Sequence, residues 1–225
     1  MIGVPAPVRI LMLQLIPNLS PSICQKLGIN SNYRSVGLIS TDCDDATYIA
    51  LDEATKLSNV QVVYAKSLYA GAANASTGFA GEVIGIIAGP TPAEVTSGLL
   101  GAKAVLESGI GFRAVGTSAY LAHCVSRTGT YLSKQAGIPA GQSLAYLVAP
   151  PVEAIIGLDA ALKSSDVELS MFFEPPTETN FAGGLLTGSQ SACQAACEAF
   201  AEAVEQCLQK PIEPGGERSW SYQKT

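Results

Sequence analysis

The sequence predicts an α/β (α+β) fold of two tandem units, each a small mixed sheet flanked by helices. A recurring segment is the first sign: residues 50–63 (ALDEATKLSNVQVV) and 157–170 (GLDAALKSSDVELS) match without a gap at Leu51/Leu158, Asp52/Asp159, Ala54/Ala161, Lys56/Lys163, Ser58/Ser165 and Val60/Val167. The match then extends both ways, pairing Leu27-Gly28-Ile29 with Ala136-Gly137-Ile138, and the IIAG run ending at Gly89 with the LLTG run ending at Gly188. Finally, strand and helix periodicities alternate in both halves. Units of roughly 100 residues are domain-sized, and so long a period argues for two domains side by side, not a solenoid.

In the first unit an apolar strand is expected over 8–15. Arg9 followed by ILMLQLI superficially resembles a signal peptide, but no charged region precedes the run and Pro17 follows it at once. Ser20 and Pro21 suit the N-cap and first turn of a short helix ending at Gly28. A buried strand is read over 36–40. Thr41 and Asp42 are candidate caps for a helix over 43–57, where Ala46, Ile49, Ala50, Ala54 and Leu57 keep helical spacing. A β-branched strand over 60–64 precedes a Gly/Ala/Ser-rich stretch at 67–81 and a strand over 83–88. GPTPAE then opens a helix to about 108, with Pro92 in its first turn. The second unit is read as a strand near 112–115, a helix over 118–135, a strand over 144–148 and a helix opened by Pro150-Pro151. A strand over 167–173, a Pro/Gly-rich loop at 174–184, a strand near 185–187 and a helix over 191–209 complete it. The boundary falls near 109–111, giving domains at 1–109 and 110–210, with a tail at 211–225 expected to be mobile.

Composition narrows the function. The 225-residue chain is 48% hydrophobic and only 14% charged, so much of its outside is expected to lie against other subunits. Net charge is −6 with no Lys/Arg cluster, which argues against a nucleic-acid partner. No apolar run is long enough for a membrane span. The six cysteines include Cys193 and Cys197 one helical turn apart, but with no C-x-x-C and a single histidine, His123, they read as buried thiols, not a metal site. His123, beside Leu121, Ala122 and Val125, reads as a structural histidine on a helix. No G-x-S-x-G elbow, Walker loop or G-x-G-x-x-G turn occurs.

DEATKLSNV and DAALKSSDV, followed by IIAGPTPA and LLTGSQSA, resemble the bacterial microcompartment shell domain family. That family's pattern is a helix ending in D-x-x-x-K, an N-V strand, a glycine loop, an apolar strand ending in Gly, and a helix opened by small residues. The strand and helix before each unit resemble the circularly permuted form of the domain. GLISTDCDDATYIA, SLYAGAA and AYLVAPPVEA are similar to shell proteins of ethanolamine-utilising compartments, and the likeness covers about residues 8–209.

The resemblance implies a homotrimer forming a flat pseudo-hexameric tile with a gated central pore. Other shell proteins would be its partners, the cytoplasmic microcompartment its location, and it would have no catalysis or catalytic cofactor of its own. Ethanolamine and cobalamin are the ligands it suggests. A soluble metabolite-binding regulator or enzyme with a ligand cleft between duplicated domains is the alternative. Lys56 and Lys163 would lie at tile edges; read without the resemblance, D-x-x-x-K is a local helix ion pair. The loops bearing Ser67, Leu68, Tyr69, Ala70, Gly71 and Thr177, Thr179, Asn180, Phe181 follow equivalent strands and would form the pore lips, with small residues permitting rearrangement.

Asp44, Asp45 and Glu82 are candidates for a cation site for ethanolamine, joined by the Phe112 carbonyl and Tyr69. Helix capping would also explain Asp44 and Asp45. Their twin places, however, hold Pro151 and Val152, and Glu82 falls opposite Phe181. The acids therefore belong to one unit only, and clustered carboxylates without a cation repel.

Overall fold

The computed structural model describes residues 3–67, 83–175, 177 and 180–211. The first half runs β1 (Val4–Pro5), β2 (Ile10–Ile16), α1 (Pro21–Lys26), β3 (Ser35–Thr41), α2 (Asp44–Leu57), β4 (Gln61–Ser67), β5 (Val83–Gly89) and α3 (Pro92–Glu107). The second runs β6 (Arg113–Val115), β7 (Ser118–Val125), α4 (Thr130–Ala136), β8 (Ser143–Ala149), α5 (Pro151–Ser164), β9 (Val167–Phe173), β10 (Ala182–Gly188) and α6 (Gln190–Gln209). Without β1 and β6 the two halves have one order.

The sheets repeat too. The first is β2-β3-β5-β4; the second is β7-β8-β10-β9, extended beyond β7 by β6 and β1. Every recorded pairing is antiparallel, so the expected mixed sheets are antiparallel ones. The physical reason is order. The crossovers β3-α2-β4 and β8-α5-β9 each link parallel strands, but β5 or β10 lies between them and pairs with both. Ser35 Oγ donates to the Pro17 carbonyl and Ser143 Oγ to that of Ser126, each at 2.8 Å. Gly28 (φ 65°) and Gly137 (φ 67°) close α1 and α4 in the left-handed region that favours glycine.

Local chemistry sets the helix starts. Thr91 Oγ1 accepts from Glu94 N at 3.2 Å ahead of α3, and Ser189 Oγ accepts from Ala192 N at 3.1 Å ahead of α6. Alternate residues of β3 and β5 serve different faces: Ile39 and Ile87 join the core under α2 and α3, while Val36 and Ile86 join a smaller cluster under α1 with Leu19, Cys24 and Ile29. In the second half Leu147 and Leu186 pack with α5 and α6, beside Phe200. Leu144 and Leu185, on the α4 face, belong to the same cluster as Leu51 of α2. The main core therefore runs through both halves, where α2 covers α4. Each fully buried aliphatic side chain there contributes about 1.5–3 kcal/mol.

Three further expectations are corrected. The helix over 118–135 is instead β7, a turn and α4, and β7 pairs with β8 through Leu121↔Val148 and His123↔Tyr146. Leu121 and Ala122 are good helix formers, but pairing and burial override propensity; His123 is a strand residue. Asp42 does not cap α2: its carboxylate accepts from Arg9 N at 2.8 Å and Arg9 Nε at 2.9 Å, and Cys43 occupies the N-cap. Gly183 and Gly184 lie inside β10, not in a loop. A Cβ on Gly183 would collide with the Leu147 carbonyl, so close packing, not mobility, selects glycine there.

Candidate functional site

The junction between the halves centres on Asp52, which is wholly buried on α2. Its Oδ2 accepts from Gly129 N at 2.7 Å, and its Oδ1 from Tyr131 N at 3.2 Å and Leu132 N at 2.8 Å. One carboxylate thus satisfies three otherwise orphaned donors at the start of α4. Burial pushes the Asp52 carboxyl up, while these N–H groups and Lys56 pull it down. A Cβ on Gly129 would stand 2.5 Å from the Asp52 carbonyl oxygen, so the close approach needs glycine. Thr55 Oγ1 accepts from Thr130 N at 3.0 Å. Lys56 Nζ donates to the Arg127 carbonyl at 2.9 Å and pairs with Glu53. Lys56 thus joins the two halves of the chain, whereas Lys163, 59% exposed, bonds Asp159 of its own helix at 2.7 Å. Nothing in the sequence revealed the three Asp52 contacts, because D-x-x-x-K at helical spacing already had a local explanation.

Beside this junction lies a cavity of about 160 Å³, lined by Asp44, Asp45, Tyr48, Ser67, Tyr146 and Phe181 among others. α2 supplies the acids, β4 the serine and β8 the tyrosine, so both halves build it. Asp44 and Asp45 are 4% and 8% exposed, and α2 has no side-chain cap bond. Tyr146 Oη donates to Asp45 Oδ1 at 2.8 Å. Ser67 Oγ donates to Asp44, leaving Tyr48 Oη to donate to Ser67 Oγ at 2.8 Å. Burial, and then the neighbouring Asp44, push the Asp45 carboxyl well up, against the hydrogen bond from Tyr146. Burial likewise raises the Tyr48 and Tyr146 hydroxyls, so both remain donors. No cationic side chain lines this cavity among the described residues. Two buried acids ringed by aromatic faces and hydroxyls suit a small organic cation that also carries a hydroxyl.

Of the residues read from the sequence as the cation site, Asp44 and Asp45 come together here. Glu82 and Tyr69 lie outside the described residues. Phe112 is buried, with its ring centroid 5.1 Å from that of Phe181, and its carbonyl accepts from Ala6 N at 2.8 Å. Of the expected loop residues, Ser67 ends β4 beside the acids, Thr177 Oγ1 donates to the Phe181 carbonyl at 2.8 Å, and Asn180 has φ 63°. Leu68, Ala70, Gly71 and Thr179 lie outside the described residues. Sequence reasoning missed Tyr48 and Tyr146, whose separation along the chain gave no local signal. Elsewhere, all six cysteines are unbridged, five of them buried. Burial, and then Lys56, lower the His123 pKa.

The BMC domain family matches residues 35–116. The chain is 61% identical over 188 residues to the bacterial microcompartment shell protein EutL of Clostridium perfringens, covering 82% of this chain and 87% of that one. It is 50% identical to EutL of Escherichia coli, covering 89% and 93%. Among solved structures, that of the ethanolamine utilization protein EutL from Leptotrichia buccalis superposes with a TM-score of 0.90 at 56% identity, covering 95% of this chain and all of that one.

Proposed function

The chain belongs to the bacterial microcompartment shell proteins of the EutL type, and on that premise we propose that three copies close into a tile of the shell around ethanolamine-processing enzymes. Like its family, it is a structural shell component and not an enzyme, and it resides in the microcompartment. The single observation that carries the trimer is the unequal covering of twin surfaces. Within one chain α2 covers α4. Their twins, α5 and α1, carry exposed apolar residues at the corresponding faces: Ile155 (47% exposed) and Leu162 (37%) on α5, and Ile23 (49%) on α1. In a closed ring of three chains, α5 of each would cover α1 of the next, repeating the internal junction.

The side chains support this. Asp159, twin of Asp52, would meet the start of the next chain's α1 at Ser22 and Ile23, the twins of Tyr131 and Leu132. Lys163 would reach the next chain's Asn18 carbonyl, as Lys56 reaches Arg127. Where Thr55 meets the Thr130 N–H inside the chain, the twins are Leu162 and Pro21. Proline has no N–H, so donor and acceptor are both replaced by an apolar contact. Ser20 stands for Gly129, so the junction between chains is wider by one small side chain.

The same ring would gather the segments after β4 and β9 around one axis, which supports a gated pore lipped by Ser67, Leu68, Tyr69, Ala70, Gly71 and by Thr177, Thr179, Asn180 and Phe181. Residues 1–109 and 110–210 would be the two units, with β1 crossing back to the second. Lys56 and Lys163 would end the junctions at the tile edge. Electron microscopy tests the tile: extended two-dimensional arrays are expected of the purified chain. Arrays that survive Lys56→Ala combined with Lys163→Ala would remove the edge role.

The acid cavity is the ethanolamine site of this reading. Protonated ethanolamine offers an ammonium to Asp45 and Asp44 and a hydroxyl to Tyr146 or Ser67, with Glu82, Phe112 and Tyr69 as further contributors. Its support is that both carboxylates can ionise together only beside a cation. Calorimetry with ethanolamine should show binding to the wild type and at least a tenfold loss in Asp45→Asn; equal binding to both, or none to the wild type, overturns it.

A further inference from the structure

A second cavity, of about 200 Å³, adjoins the acid cavity and shares Tyr48, Tyr146 and Phe173 with it. Its other walls include Tyr131, Gln135 and Met171. On its far side it shares Ala65, Tyr131 and Gln135 with an open groove of about 730 Å³ between β4 and α4. The chamber therefore lies between the groove and the acid cavity.

The chamber's chemistry differs from its neighbour's. Four aromatic rings line it: Tyr48 and Tyr131, with ring centroids 6.2 Å apart, and Tyr146 and Phe173, 5.7 Å apart. The thioether of Met171 and the amide of Gln135 add polarisable and polar surface, but no carboxylate and no cationic side chain line it among the described residues. Ring faces attract a cation through their quadrupoles without needing a hydrogen-bond donor from it. Burial, and then Asp52 beside Tyr131 and Asp44 and Asp45 beside Tyr48 and Tyr146, raise these tyrosine hydroxyls, that of Tyr131 to about 12, so the rings stay neutral. A primary ammonium, which needs acceptors, fits the acid cavity better. A cation whose charge is spread over methyl groups fits the chamber better.

We propose that this chamber is an aromatic cage for a quaternary ammonium ion of the choline type, distinct from the acid cavity and entered from the groove. The inference rests on reading the junction as a place where organic cations bind, but not on ethanolamine being one of them. Tyr131 is the discriminating residue. It lines chamber and groove but not the acid cavity, and its backbone N–H, not its ring, makes the bond to Asp52.

Choline and ethanolamine are titrated separately by calorimetry into the full-length chain, its Tyr131→Leu, Tyr131→Phe and Asp45→Asn variants, each checked for an unchanged circular dichroism spectrum. Choline is expected to bind the wild type, to bind Tyr131→Leu at least tenfold more weakly, and to bind Tyr131→Phe within about threefold of the wild type, because phenylalanine keeps the ring face. Asp45→Asn should weaken ethanolamine far more than choline. No choline binding to the wild type overturns the cage, as does equal binding to wild type and Tyr131→Leu. Choline binding without ethanolamine binding would sink the ethanolamine site and leave the cage standing.

Discussion

Asp52 and Asp159 occupy the same place in the two halves and could hardly live more differently. Asp52 is wholly buried and holds three backbone N–H groups at the start of α4; Asp159 is exposed and, among the described residues, bonds Lys163 of its own helix. Duplication kept the helix and the residue but not the neighbour, because α4 follows in the same chain while α1 of the same chain faces elsewhere. In the proposed ring, the next chain's α1 would supply the missing neighbour. A second comparison lies one turn earlier. Asp44 and Asp45 open α2, whereas Pro151 and Val152 open α5. The frame tolerates apolar residues there, so the fold itself does not demand the acids.

The largest effect should come from breaking the first comparison. Asp52→Ala strands three buried donors and is expected to lower unfolding stability in urea by about 3 kcal/mol or more. Asp159→Ala, at concentrations where the chain is monomeric, should change it by less than about 0.5 kcal/mol, as solvent screens an exposed i,i+4 pair. Equal losses would mean that the junction is not what distinguishes the halves.

Asp45 sharpens the second comparison. Its folded pKa is raised by burial and Asp44, so folding takes up a proton between the ordinary carboxylate range and the folded value. Without ligand, stability is fully present below about pH 4 and is lost as pH rises through that folded value, with a slope of at most about 1.4 kcal/mol per pH unit. Asp45→Asn should flatten that part of the curve and stabilise the empty protein at neutral pH. Thermal melts from pH 4 to 8 check this, and an unchanged slope in the variant would contradict it.

The smallest effect concerns His123, whose twin is Gln14. Its folded pKa is lowered by burial and then by Lys56, so the unfolded chain binds the proton more readily. Stability from this residue is present above about pH 6.5 and is lost as pH falls towards the folded value, opposite in sign to Asp45. Exchanging it for its twin residue, His123→Gln, should remove this acid-side loss. The same melts read it out.

Much of the frame was legible in the sequence because helix periodicity, caps and the two left-handed glycines are local signals. The repeat itself also held information that periodicity hid. The segment 118–125 faces 9–16 across the duplication, and the ILMLQLI run there reads clearly as a strand, whereas SAYLAHCV, rich in Ala and Leu, reads as a helix. The site was legible only in part. Asp44 and Asp45 stood out because their twins are apolar. The donors around them, Tyr146 and Ser67, come from other strands and carry no sequence signal until the sheets assemble. Asp52 was hidden for a further reason: its i,i+4 lysine gave a sufficient local account of a residue whose main partners lie on α4.

In the proposed tile the junction inside the chain is repeated between chains. Native mass spectrometry of the full-length protein and its Leu162→Asp variant tests it most directly, because the substitution puts a charge into the proposed apolar contact with the next chain's Pro21 while altering a residue already 37% exposed within its own chain. The expected result is a species of three times the 23.2 kDa chain mass for the wild type and a folded monomer for the variant. A monomeric wild type, or a trimer that persists undiminished in Leu162→Asp, would contradict it.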